Sequence, residues 1–127
     1  MRFSSSPRPL FAAVIAIAAA CGASAPAVAP SSGPPKAPPA DEEVTASTSL
    51  AFTPPTVAIR RGGTVTFDFQ GVGHNVFFDN GPAGAPANIT GENANVSKTL
   101  TFAAAGTFPY NCHIHPGMRG TVVVVEP

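Results

Sequence analysis

Along the C-terminal part of this chain, apolar and polar residues alternate with a period of two. That spacing places side chains on opposite faces of a β-strand. Residues 64–69 (TVTFDF) put Val65, Phe67 and Phe69 on one face and Thr64, Thr66 and Asp68 on the other. Residues 56–60 (TVAIR) and 97–102 alternate in the same way, and 44–52, 75–78 (NVFF) and 107–111 are further candidate strands. The run 119–126 (RGTVVVVE) is nearly continuous in apolar residues, as expected of a strand buried on both faces. Turn residues separate the runs: Pro54-Pro55, Arg61-Gly62-Gly63 and Ala103 to Gly106. Residues 79–95, rich in Gly, Pro, Ala and Asn, read as one long loop. No segment shows helical periodicity. About seven short strands over roughly 85 residues predict an all-β, two-sheet sandwich.

The N-terminal part has a different pattern. Two arginines and no acid precede an apolar run from Leu10 to Ala20, about half of the roughly 20 residues a membrane-spanning helix needs. A basic start, a short apolar stretch and small residues after it predict a signal peptide over residues 1–20. Ala18-Ala19-Ala20-Cys21 resembles a lipoprotein box, with Ala18 where Leu is usual, and so predicts a lipid anchor on Cys21. Simple cleavage after Ala27 is the alternative. Residues 21–42, dominated by Pro, Ala and Ser, cannot bury enough apolar surface to offset the entropy of ordering them, and read as a flexible tether. The folded domain is then 43–127, and the expected location is outside the cytoplasm, periplasmic or cell-surface.

Charge narrows the partners. Seven basic and seven acidic residues are sparse and balanced, which excludes a nucleic-acid footprint. Neither a carboxylate pair suited to acid–base work, nor a Ser/His/Asp arrangement, nor a phosphate-binding loop is present. Asn88-Ile89-Thr90 and Asn95-Val96-Ser97 fit the glycosylation acceptor pattern by chance.

The chemistry lies near the C-terminus. Cys112, His115 and Met118 stand three residues apart in the loop before the last strand, and His74 is the histidine outside that loop. One thiolate, two imidazoles and a thioether match the His₂Cys set with a weak axial Met that defines blue copper. Cys112 or Met118 taken alone would read as core. His113, beside Cys112 on the strand end, points the other way and reads as a non-ligand. A trinuclear oxygen-reducing centre needs several more histidines than the three present.

Three stretches resemble the plastocyanin and amicyanin group of cupredoxins: 52–69 (FTPPTVAIRRGGTVTFDF), 73–79 (GHNVFFD) and 110–126 (YNCHIHPGMRGTVVVVE). The resemblance covers about residues 44–127. It implies a Greek-key β-sandwich, one type 1 copper held by His74, Cys112, His115 and Met118, and outer-sphere transfer of single electrons. It also implies that the edge of the His115 ring is exposed near Pro116 and Gly117, and that Asn75 bonds across to the backbone beside Cys112. The departures are His113-Ile114 where many relatives carry Pro, Gln70-Gly71 where Asn or Asp is frequent, and the lack of a plant-type acidic patch.

The expected function is therefore a copper electron carrier, not an enzyme, working as a monomer with a redox partner that docks on apolar surface around Pro116 and Gly117. Few charges surround the loop, so docking should depend weakly on salt. The alternatives are a Cu(I) storage or delivery protein and a small copper enzyme with an open coordination position.

Overall fold

The computed structural model describes residues 35–127; the expected export signal, Cys21 and most of the tether lie outside them. Among the described residues there are nine strands and no helix. They are β1 (Asp41–Ala46), β2 (Phe52–Thr53), β3 (Thr56–Arg60), β4 (Thr64–Phe69), β5 (His74–Val76), β6 (Ile89–Asn93), β7 (Val96–Thr101), β8 (Gly106–Asn111) and β9 (Arg119–Val125). One sheet has the order β2-β1-β4-β7, a second β3-β9-β8, and β5-β6 form a two-stranded ribbon. β1 runs parallel to β4, and β3 parallel to β9; the β4–β7 and β8–β9 pairs are antiparallel.

Alternation decides the layers. Val44 and Ala46 of β1, Val65, Phe67 and Phe69 of β4, Ile59 of β3, Phe108 of β8, and Val122 and Val124 of β9 all turn inward and are buried. The residues between them, such as Thr64, Thr66 and Asp68, face outward and bond across strands: Thr66 to Thr99 at 2.9 Å, and Ser97 to Asp68 at 2.8 Å. The buried aliphatic and aromatic side chains, each contributing about 1.5–3 kcal/mol, form one core.

Three expectations are corrected. The run 44–52 is not one strand. The Ser47 amide and hydroxyl both donate to the Ala51 carbonyl (2.9 and 3.0 Å), and Leu50 takes a left-handed φ of 61°, so the chain reverses between β1 and β2. The expected loop 79–95 contains β6, whose Ile89 and Asn93 alone are buried. A strand buried only at its two ends, one of them polar, leaves no alternating signal. β9 is also not buried on both faces: Val122 and Val124 are buried, whereas Val123 and Val125 are half-buried.

The strand directions give the molecule two ends. β4 and β8 run toward one end, at Phe69 and Asn111, where β5 and β9 begin at His74 and Arg119. At the other end the incoming chain is strapped down, with the Pro39 and Ala40 carbonyls accepting from the Arg60 and Thr64 amides (3.0 and 2.9 Å).

Below the first end lies an aromatic cluster. The Tyr110 ring meets Phe52, Phe67 and Phe78 edge-on, at 4.9, 5.3 and 5.9 Å between centroids. Its cross-strand partner is Gly120, and a Cβ there would collide with the phenol ring. The Tyr110 hydroxyl is buried with no hydrogen-bond partner, and burial pushes its pKa upward. Removing that hydroxyl should help: Tyr110→Phe is expected to raise the stability of the copper-free protein by about 1 kcal/mol in urea denaturation. Gly120→Ala should lower it by about 1–3 kcal/mol through overpacking.

Candidate metal centre

Two segments far apart in sequence build the site. His74 opens β5, while Cys112, His115 and Met118 come from the loop between β8 and β9. The loop closes on itself: the Cys112 amide donates to the Met118 carbonyl at 2.9 Å, and the Met118 amide to the His115 carbonyl at 3.1 Å. Gly117, at φ 92°, supplies the left-handed turn between them. All three side chains therefore turn toward the body of the protein. Cys112 and Met118 are buried and His115 is half-buried.

The donor atoms converge. His74 Nδ1 lies 3.0 Å from His115 Nδ1, which lies 3.8 Å from Cys112 Sγ. One donor atom from each of the three residues fits within a 4.8 Å span. An ion with bonds of about 2.0 Å to nitrogen and about 2.3 Å to thiolate sulfur reaches all three at once. The donor chemistry fits copper, because a soft thiolate with imidazoles favours it over oxygen-loving cations.

The direction of each ring has a cause. His74 Nε2 faces the Ser47 carbonyl at 3.0 Å, and a carbonyl can only accept. Nε2 therefore carries the proton, and Nδ1 is left bare toward the site. Ser47 belongs to the β1–β2 turn, 27 residues upstream. No sequence signal marked it, because a backbone carbonyl has none. Its turn is held in part by Gln70, whose side chain accepts from the Thr48 amide at 3.4 Å. The Asn93 side-chain Nδ2 donates to the His74 carbonyl at 3.0 Å.

The two ligand segments are stitched together. Phe77 and Asn111 exchange backbone hydrogen bonds of 2.9 and 3.0 Å. Asn75 Oδ1 accepts from the His113 amide at 2.7 Å, as the resemblance implied. The His113 side chain does point away from the cluster. It stacks on Phe77 at 3.8 Å between centroids, and its Nε2 meets the Asp79 carboxylate at 2.5 Å. Asp79 is thus part of the surroundings of the site.

Burial lowers the pKa of His74. The Ser47 carbonyl opposes that shift, and the facing His115 imidazole adds to it. Its unfolded value, near 6.5, lies above its folded one. The unfolded chain then binds more protons between the two, so stability is retained above the unfolded value and lost as pH falls below it. The copper-free protein should accordingly unfold at lower urea concentration at pH 5 than at pH 7. His74→Gln should flatten that dependence in the same titration.

Comparison with known proteins agrees with this arrangement. Residues 40–125 match the model of copper binding proteins of the plastocyanin/azurin family. Amicyanin-alpha from Methylorubrum extorquens is 37% identical over 78 residues, a match covering 59% of this chain and 65% of that protein. Plastocyanin from Scenedesmus fuscus is 38% identical over 92 residues, covering 61% of this chain and 90% of the relative. Among solved structures, a reduced Cu(I) form of an amicyanin variant superposes with a TM-score of 0.57 at 32% identity, over 66% of this chain and 81% of that one. The copper-containing nitrite reductase of Thermus scotoductus superposes with a TM-score of 0.58 at 25% identity, over 68% of this chain but 23% of its own. With the family model matching from the strapped entry at Ala40 to the end of β9, and with the thiolate and two imidazoles converging at one end of the sandwich, this chain belongs to the plastocyanin/azurin family of copper binding proteins.

Proposed function

We propose that this protein is a type 1 copper electron carrier whose single copper would be held by His74, Cys112 and His115, with Met118 as a weak fourth ligand. The observation that carries this reading is the convergence of His74 Nδ1, His115 Nδ1 and Cys112 Sγ from segments already tied together by hydrogen bonds. Met118 is the fourth member because its loop turns it inward, where it is buried beside Cys112. Bound copper supplies the one-electron couple. The protein's part is to fix the donor directions and keep water out. Buried Cys112 and His74 do the second, and the Ser47 carbonyl and Asn75 do the first. A donor set held from outside reorganises little when charge changes, which suits electron transfer.

Half-buried His115, followed by exposed Pro116 and Gly117, supports docking of a redox partner at that edge. The same reading makes the chain a carrier and not an enzyme in its own right. An export signal over residues 1–20, lipidation at Cys21 and a tether over 21–42, whose last two residues open β1, would hold the domain outside the cytoplasm, near a membrane. The strapping of Pro39 and Ala40 at the end remote from His74 supports that arrangement, since an anchored domain would present its copper end outward.

Titration of the purified protein with Cu(II) tests the reading. An intense blue thiolate-to-copper band is expected, absent in Cys112→Ala and unmoved by added azide. A pale complex would shift the assignment to Cu(I) storage or delivery, and a band perturbed by azide to an enzyme with an open position. Copper at 1,000 times its dissociation constant should also raise folding stability by about 4 kcal/mol, read as a higher unfolding temperature.

A further inference from the structure

The left-handed residue of the β1–β2 turn has no packing reason to be there. Leu50 is 47% exposed, so burial of its side chain does not hold its backbone at φ 61°. That conformation crowds the Cβ of any residue but glycine, and a bulky residue keeps it only where the surroundings over-determine it. Here they do. The Leu50 amide donates to the Ser47 carbonyl at 3.1 Å, closing a tight turn, and the Ser47 amide and hydroxyl both return to the Ala51 carbonyl. A tight turn followed by a left-handed residue is a common hairpin loop, and glycine ordinarily fills that last position.

The Ser47 carbonyl fixed by this turn is the one that faces His74 Nε2 at 3.0 Å. It accepts twice, from Leu50 and from His74, one bond for each lone pair. An exposed backbone angle is thereby coupled to a fully buried imidazole. Were Leu50 to leave the left-handed region, its amide would swing off the carbonyl, the turn would open, and the carbonyl would lose its aim at the ring.

We propose that Leu50 is a positioning residue for the metal centre, its left-handed backbone holding the Ser47 carbonyl on His74 Nε2 and so setting the tautomer and donor strength of that imidazole. The proposal rests on the carrier reading and extends it one layer outward. A carbonyl that accepts from Nε2–H leaves Nδ1 bare and richer in electrons, which favours Cu(II) over Cu(I) and holds the reduction potential down. The backbone angle carries the effect, and the Leu50 side chain has no part in it.

Substitutions at this position separate the angle from the side chain. Leu50→Gly and Leu50→Asn both accept a left-handed backbone. Leu50→Pro cannot, and it also loses the amide. Leu50→Val keeps an apolar side chain whose branching disfavours the angle. In the copper-free chain at neutral pH, NMR of the imidazole nitrogens should show His74 protonated at Nε2 alone in the parent, Leu50→Gly and Leu50→Asn, and mixed tautomers in Leu50→Pro. In the copper-loaded chain, voltammetry should give the parent potential for Leu50→Gly and Leu50→Asn and a raised one for Leu50→Pro, with the blue band kept. Equal potentials throughout, or matching shifts in Leu50→Gly and Leu50→Pro, would overturn the proposal, because either result detaches the angle from the copper. If Leu50→Pro fails to fold, Leu50→Val against Leu50→Asn makes the same decision. A parent chain without a blue band would instead defeat the carrier reading, and the tautomer comparison would still decide the role of Leu50.

Discussion

Everything in this structure depends on holding two remote pieces of chain together before a metal arrives. His74 and His115 are 41 residues apart, yet their Nδ1 atoms lie 3.0 Å from each other. A single hydrogen bond between two imidazole nitrogens gains little on its own, so the contact must be imposed. The paired backbone bonds between Phe77 and Asn111, and the bond from the His113 amide to Asn75, impose it. These sit directly above an aromatic core of Phe52, Phe67, Phe78 and Tyr110, which gives the site a floor that does not yield.

From that constraint the division of labour among the strands follows. β8 and β9 supply three candidate ligands on a short loop, because adjacent antiparallel strands return the chain to the same end. β5 brings the fourth residue, and the β6 ribbon holds β5 in place through Asn93. The β1–β2 turn, at the end of the other sheet, supplies the carbonyl that selects the His74 tautomer. A site assembled from both sheets and the ribbon is coupled to the whole fold. Copper binding and folding therefore reinforce each other.

Much of this was legible in the residues. TVTFDF alternates strictly and TVAIR places Val57 and Ile59 on one face, and their strands appear at 64–69 and 56–60 as read. The spacing of Cys112, His115 and Met118, with one histidine upstream, pointed to His74, Cys112 and His115, whose donor atoms the fold brings together. What escaped had a physical reason. β6 (ITGEN) buries its first and last residues and is otherwise exposed, so it carries no period-two signature. The break at Ser47–Ala51 depends on Leu50 adopting a left-handed backbone, which its residue type disfavours. The Ser47 carbonyl is invisible in any sequence. His113 was correctly read as pointing away from the cluster, but the Phe77 and Asp79 contacts that fix it emerge only in three dimensions.

A donor set preformed by the fold should change little between the two redox states of the copper. X-ray absorption at the copper edge, on the Cu(II) and Cu(I) forms at neutral pH, tests it most directly. One near sulfur and two near imidazole nitrogens are expected in both states, with no oxygen ligand gained or lost. Loss of the sulfur, or a water or carboxylate oxygen entering in either state, would contradict it.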